Sequence, residues 1–246
     1  MRATESAELE AFADIFAAAP AGFPAHARRV GGALAVRFPP AAEVVEINRI
    51  VGACSASEVD ALEPLYDGGR VVVSLDPEAG LEDDLRARGY RPGYPWHKFA
   101  RRAAPLAAAT ELDVEPARRP EDFALPIVRG FGIPEAMTPW FASLAGRPGW
   151  HCFVAYAGAE PASAGALFVS GETGWLGLGA TVPELRGRGG QGAVIAGRVS
   201  RAAELGLGLV VTETGAPRDG RPGPSYRNIV RAGFEVAYER PNYVRG

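Results

Sequence analysis

One short pattern occurs twice in this 246-residue chain. Leu85, Gly89-Tyr90, Tyr94, Phe99 and Arg101 are matched by Ile229, Gly233-Phe234, Tyr238, Tyr243 and Arg245, every pair separated by the same step, that from 85 to 229. A glycine just past a helix supplies the left-handed closing residue, and the aromatic after it opens a strand. A second match, Gly32-Ala33-Leu34-Ala35-Val36 with Gly165-Ala166-Leu167-Phe168-Val169, has a different offset, as loop insertions between copies produce. Either the chain holds two copies of one helix-and-strand unit, or "helix, glycine, aromatic, strand" is common punctuation met twice. On the duplication reading the boundary falls in the apolar, shape-poor run 103–109, which gives halves 1–104 and 105–246.

Apolar periodicity then sets out the elements. In the first half it predicts a helix over 6–17 with Ser6 as N-cap, strands over 32–38, 44–51, 71–75 and 94–101, and helices over 57–65 and 81–88. In the second half it predicts strands over 111–116, 150–156, 164–169 and 175–182, with a tight turn over 170–174. Helices follow over 120–130 and 138–145, the latter with Thr138 as N-cap and Pro139 as first helical residue. A helix over 193–205, a nearly all-apolar strand over 207–212, a short helix over 225–232 and a last strand to Tyr243 complete the chain. The alternation makes the fold α/β, with a mixed, partly parallel sheet flanked by helices.

Charge and composition exclude several classes of partner. With 26 basic against 29 acidic side chains the net charge is −3, so no positive field exists to hold a nucleic acid. No run of ~18 apolar residues spans a membrane and the start lacks a signal-like apolar region, so a cytoplasmic protein is expected. Cys54 and Cys152 stand far apart without metal-ligand spacing, so neither a disulfide framework nor a metal site is expected. Lys98, the only lysine, is read as base-composition bias of the gene.

The chemistry concentrates in 174–192, where a strand, a short turn and a run of glycines open a helix. The first N–H groups of a helix are unpaired and its dipole favours negative charge, so the segment suits a pyrophosphate, with Arg186 and Arg188 adding positive charge. Gly187-x-Gly189-x-x-Gly192 is also a literal dinucleotide fingerprint, with Glu213 beyond the next strand as ribose-binding acid. In that fold, however, the glycines follow the strand directly, whereas 183–186 intervene here.

Pro183-Glu184-Leu185-Arg186-Gly187-Arg188-Gly189-Gly190-Gln191 more closely resembles the coenzyme A loop of the GNAT superfamily of N-acetyltransferases, a Pro, two residues, then R/Q-x-x-G-x-G/A. Gln191 departs from the small residue usual there. The order that follows, helix, buried strand, Asn228 in a short helix and Gly233-Phe234 opening the last strand, extends the resemblance over roughly 111–243. It implies acetyl-CoA as donor, its pyrophosphate held by the backbone of Arg186, Gly187, Arg188, Gly189, Gly190, Gln191 and Gly192. It further implies free N–H groups around Thr181 and Val182 for the pantetheine arm and thioester, and Asn228 bonding that arm.

The resemblance also implies a tyrosine four residues before the Gly-Phe pair, protonating the leaving thiolate; Ile229 stands there instead. Tyr226, three residues earlier and so on the same helical face, is the substitute candidate. Glu213 and His151 are candidate bases, each with a structural alternative, and Glu172 is a turn residue. Phe131, Trp140, Phe141, Trp150 and Trp175 either wall an apolar acceptor pocket or fill the core, the latter for most of them. The first half has neither arginine nor a glycine cluster over 52–60 and is expected to bind no cofactor. The expected activity is acetyl transfer to a primary amine of a small molecule or peptide, without nucleic acid or membrane, and a homodimer is compatible with it. The alternatives are a non-catalytic acyl-CoA-binding or sensing protein and, more distantly, a dinucleotide-binding protein.

Overall fold

Two mixed sheets carry the fold in a computed structural model that describes residues 2–246. The chain begins with helix α1 (Ala3–Ala17), strands β1 (His26–Val30), β2 (Ala33–Arg37) and β3 (Arg49–Val51), helix α2 (Ala56–Leu62) and strand β4 (Val71–Ser74). Helix α3 (Glu82–Ala87), the short β5 (Arg91–Pro92) and β6 (Trp96–Arg102) complete the first half. The second opens with β7 (Asp113–Pro116), α4 (Pro120–Phe131), α5 (Thr138–Ala142), β8 (Trp150–Ala157), β9 (Glu160–Ser170) and β10 (Thr173–Thr181). Then come α6 (Gly190–Glu204), β11 (Leu209–Gly215), α7 (Pro224–Arg231), β12 (Glu235–Arg240) and β13 (Asn242–Arg245).

The sheet orders are β1-β2-β3-β4-β13-β5 and β12-β6-β11-β10-β9-β8-β7. Each half therefore lends its last strand to the other. Strand β6 lies between β11 and β12, and β13 lies in the same way between β4 and β5, all antiparallel. The parallel pairs, β3 with β4 and β10 with β11, also occupy equivalent places. The matched sequence pairs make matched bonds. After α3 the Tyr90 N–H donates to Leu85 O at 3.0 Å, and after α7 the Phe234 N–H donates to Ile229 O at 3.3 Å. Gly89 and Gly233 close these turns at φ of 81° and 76°, where only glycine is unstrained.

Alternation along the strands feeds two layers of core. Trp175, Val211 and Ala166 face α1, α4 and α5, whereas Leu176, Val210 and Leu167 face α6 and α7. The 47% apolar content suffices for a separate core in the first sheet around Ala35, Ile50, Val73 and Leu85. No helix among the described residues is long and apolar enough to cross a membrane.

Several boundaries differ from expectation. Helix α1 starts at Ala3 with Arg2 as N-cap, so Ser6 lies inside it, and Thr138 is helical with Met137 in the cap position. The strand expected over 44–51 shrinks to β3, because the Asn48 side chain bonds Phe38 N, Ala41 O and Val44 O and holds the chain in turns instead. The single last strand breaks at Pro241 into β12 and β13, which join different sheets. Strands β1 and β5 have no counterpart in the expected pattern, since their side chains are almost all exposed and carry no apolar alternation.

Candidate functional site

Strands β10 and β11 run parallel only from Thr173 with Leu209 to Trp175 with Val211, and then diverge. At the vertex the Thr212 hydroxyl donates to Leu176 O at 2.9 Å. Beyond it β10 bulges: Leu178 and Gly179 together face Gly165, and Leu178 adopts φ 54°, a left-handed conformation costly for a branched side chain. A Cβ on Gly177 would strike the Trp175 ring, so glycine is required there. The Val182 N–H is taken by Ala162 O at 2.9 Å, which corrects the expectation that it is free. Antiparallel alternation then turns the Thr181 N–H to the open side, into the gap between β10 and β11.

The loop after β10 leads into α6 through Gly187 and Gly189, both left-handed at φ 83° and 78°. The N–H groups of Gly187 through Gly192 meet no acceptor among the described residues. Alternating left-handed and right-handed residues turn such donors inward as a nest for an anion, reinforced by the helix dipole. Gly190 is buried against Ser163, whose hydroxyl would lie 2.2 Å from an added Cβ. Gln191, the departure from the motif, accepts from Asn228 Nδ2 at 2.8 Å and donates to Ser225 Oγ at 3.3 Å, tying α6 to α7. Arg186 lies at the rim with its guanidinium near Gly130 O, and Arg188 points outward, its carbonyl accepting from Thr110.

A cleft of about 1000 Å³ joins these parts. On one side of the sheet it is walled by Phe12, Ile47, Trp96, Phe131, Phe141 and Trp175, and on the other by Leu106, Ile195, Ile229 and Phe234. It therefore passes through the splay. Trp140, Phe141, Trp150 and Trp175 belong to the core, and of these Phe141 and Trp175 also face the cleft. Glu172 occupies the two-residue turn between β9 and β10.

Nine of the candidate catalytic and cofactor residues, Glu213, Thr181, Arg186, Gly187, Gly189, Gly190, Gln191, Gly192 and Asn228, meet along this cleft, and Val182, Arg188 and Tyr226 do not. The Tyr226 ring packs on Phe99 at 5.1 Å and His97 at 5.7 Å, centroid to centroid, on β6. His151 also lies off the cleft wall, its imidazole held low by burial and by Arg201. Glu213 lines the cleft at the centre of a buried ionic cluster. Its carboxylate meets Arg49 at 2.5 Å, Arg240 at 2.9 Å and Lys98 at 3.2 Å. The same three cations contact Glu8 of α1, and Arg240 reaches Glu5 at 2.8 Å. Burial works against ionisation, yet Arg49, Lys98 and Arg240 hold the Glu213 carboxyl well below the usual range, while burial holds that of Glu8 above it. A carboxylate so stabilised is a poor proton acceptor. The lone lysine thus stitches the halves together, a role that its residue count did not disclose.

Comparison with known proteins gives structural matches alone: no family model matches the chain, and no curated protein matches at significance. A GCN5-related N-acetyltransferase from Kribbella flavida superposes with a TM-score of 0.64 at 12% identity, covering 98% of this chain and 93% of that one. Another from Sphaerobacter thermophilus gives 0.61 at 15% identity over 89% of this chain and 82% of its own. This chain has the GNAT fold. A tandem GNAT protein from the clavulanic acid biosynthesis pathway also superposes, with a TM-score of 0.55 at 14% identity, over 80% of this chain and 74% of that one.

Proposed function

We propose that the chain is an N-acetyltransferase that moves the acetyl group of acetyl-CoA to a primary amine by direct attack. In this reading 1–104 and 105–246 are two GNAT-like halves, and the second alone binds coenzyme A. The observation that carries it is the set of unpaired N–H groups from Gly187 to Gly192, opening on a cleft that runs through the β10–β11 splay. Those donors would hold the pyrophosphate, and Arg186 would add charge at the rim. The Thr181 N–H and Asn228 would bind the pantetheine arm, leaving the thioester near the bulge. Donors fixed at a developing oxyanion contribute roughly 2.7–4 kcal/mol each in other acyl transfers. The amine would enter from the face walled by Phe12, Trp96 and Trp175, which suits an acceptor with an apolar body. With Glu213 held as a carboxylate by its three cations, the ammonium proton goes to water.

A second reading, a non-catalytic acyl-CoA-binding protein, is favoured by one observation: no tyrosine, histidine, cysteine or lysine lines the cleft among the described residues. A screen of primary amines for thiol release from acetyl-CoA separates the two. The enzyme reading expects release matched by acetylated amine for at least one class. Tight acetyl-CoA binding with no release above background for any amine would support the binding protein instead.

A further inference from the structure

Arg198, on the face of α6 that meets the sheet, is a buried guanidinium without an acidic partner among the described residues. Its Nε donates to Val194 O at 3.1 Å, and its Nη1 donates to Ala166 O at 3.1 Å and Gly177 O at 3.0 Å. The two strand carbonyls flank the bulge, so Arg198 fixes its shape. Gly165 opposite leaves room for the guanidinium: a Cβ there would lie 2.7 Å from Arg198 Cζ, so any side chain would have to displace it. Nη2 makes no hydrogen bond among the described residues, lies 3.6 Å from where a Gly179 Cβ would be, and belongs to a side chain that lines the cleft.

An unpaired buried charge is expensive unless something compensates it. Burial lowers the Arg198 pKa only to about 9, so the group remains a cation at neutral pH, and the nearby Cys152 thiol, pushed up to about 12, stays neutral. Acyl transfer creates two anionic centres near the bulge, the tetrahedral oxyanion, which backbone N–H groups can hold, and the departing sulfur, whose expected phenol is replaced by Ile229. We propose that Arg198 stabilises the coenzyme A thiolate as it leaves, electrostatically and without transferring a proton. This rests on the acetyl-CoA reading above. The amine lone pair forms the C–N bond, the C–S bond breaks with its electron pair on sulfur, and the ammonium proton passes to water. Products are the acetamide, the thiolate and a proton, so no acid is required at the moment of cleavage.

The test is the ultraviolet thiolate absorbance of coenzyme A bound to the intact protein, followed against pH. In the wild type the bound thiol should titrate roughly one to three pH units below the free thiol, as beside an arginine. Arg198→Met should abolish the shift, Arg198→Lys should keep most of it, and kcat should fall about 10²-fold in Arg198→Met with KM for acetyl-CoA little changed. A bound wild-type thiol that titrates where free coenzyme A does overturns the proposal and leaves the acetyl-CoA reading standing. So does a shift that survives in Arg198→Met. Failure of the wild type to bind coenzyme A overturns both readings. If Arg198→Met does not fold, the wild-type titration and Arg198→Lys still decide.

Discussion

The two helix starts that follow the inner strand of each sheet, α2 after β3 and α6 after β10, occupy equivalent places beside a parallel strand pair and treat their donors in opposite ways. At α2 the Glu58 carboxylate accepts from Cys54 N at 2.7 Å, Gly32 N at 2.9 Å and Ser55 N at 3.0 Å, while Ser55 caps Glu58 N. Burial pushes that carboxyl up, but the three N–H groups hold it below the ordinary range. The protein has supplied its own anion there. At α6 the cap is Gly189, without a side chain, and the corresponding donors stay open. Absence of arginine and of a glycine cluster in the first loop is therefore half of the difference. The other half is an acid that fills the nest.

The sharpest way to break this comparison is to close the second nest. Arg186→Glu with Gly189→Asp places carboxylates at the loop, so stabilisation by acetyl-CoA in a thermal-shift assay should vanish while the fold persists. Calorimetry on the wild type should find one coenzyme A per chain, and a stoichiometry near two would mean that α2 binds despite Glu58.

Next in size is the cluster shared by both halves. Arg49→Met leaves Glu8 and Glu213 short of a cation and should destabilise the whole protein by about 3–5 kcal/mol in one denaturant transition, both halves unfolding together. Two separated transitions would show the halves to be independent.

Glu58→Ala should cost about 0.5–2 kcal/mol through the lost cap, without creating a second cofactor site. Because the folded Glu58 pKa lies below its unfolded value of ~4.3, its contribution is present above that pH and fades as pH falls through the folded value. Glu58→Gln should accordingly show a shallower acid dependence than the wild type in pH-resolved denaturation. Smallest of all, Tyr226→Phe should change turnover by less than about threefold, since its ring packs on Phe99 and His97 away from the cleft; a loss of ~10²-fold in a steady-state assay would return it to the chemistry.

Much of this was legible from residues alone where the determinants are local. The glycine turns at 89 and 233, the hairpin at 170–174, the strand-loop-helix around Arg186 and the α/β alternation follow from spacing and turn chemistry. What escaped depends on distant neighbours. The repeat predicts β6 and β13 but not which sheet each joins. Nothing around Glu5 and Glu8 in the sequence marks their role, because their partners Arg49, Lys98 and Arg240 converge on α1 from far along the chain. Arg198 did leave a trace, as a charged residue in register with Val194 and Ala202 on an apolar helical stripe. Gln191 looked like a flaw in the motif and is instead a bridge from α6 to α7.

The reciprocal loan of β6 and β13 sets the order in which the molecule can come into being. A nascent chain that has made β6 holds a strand whose neighbours β11 and β12 lie more than a hundred residues ahead, beginning at Leu209 and Glu235. The first sheet waits equally for β13, its β4 and β5 edges unpaired until residues 242–245 leave the ribosome. Neither sheet closes before β12 and β13 are made, so closure is late, rich in long-range pairing and correspondingly slow. During that interval exposed edges seek any strand on offer, and two half-made copies of this chain present each other with the right ones.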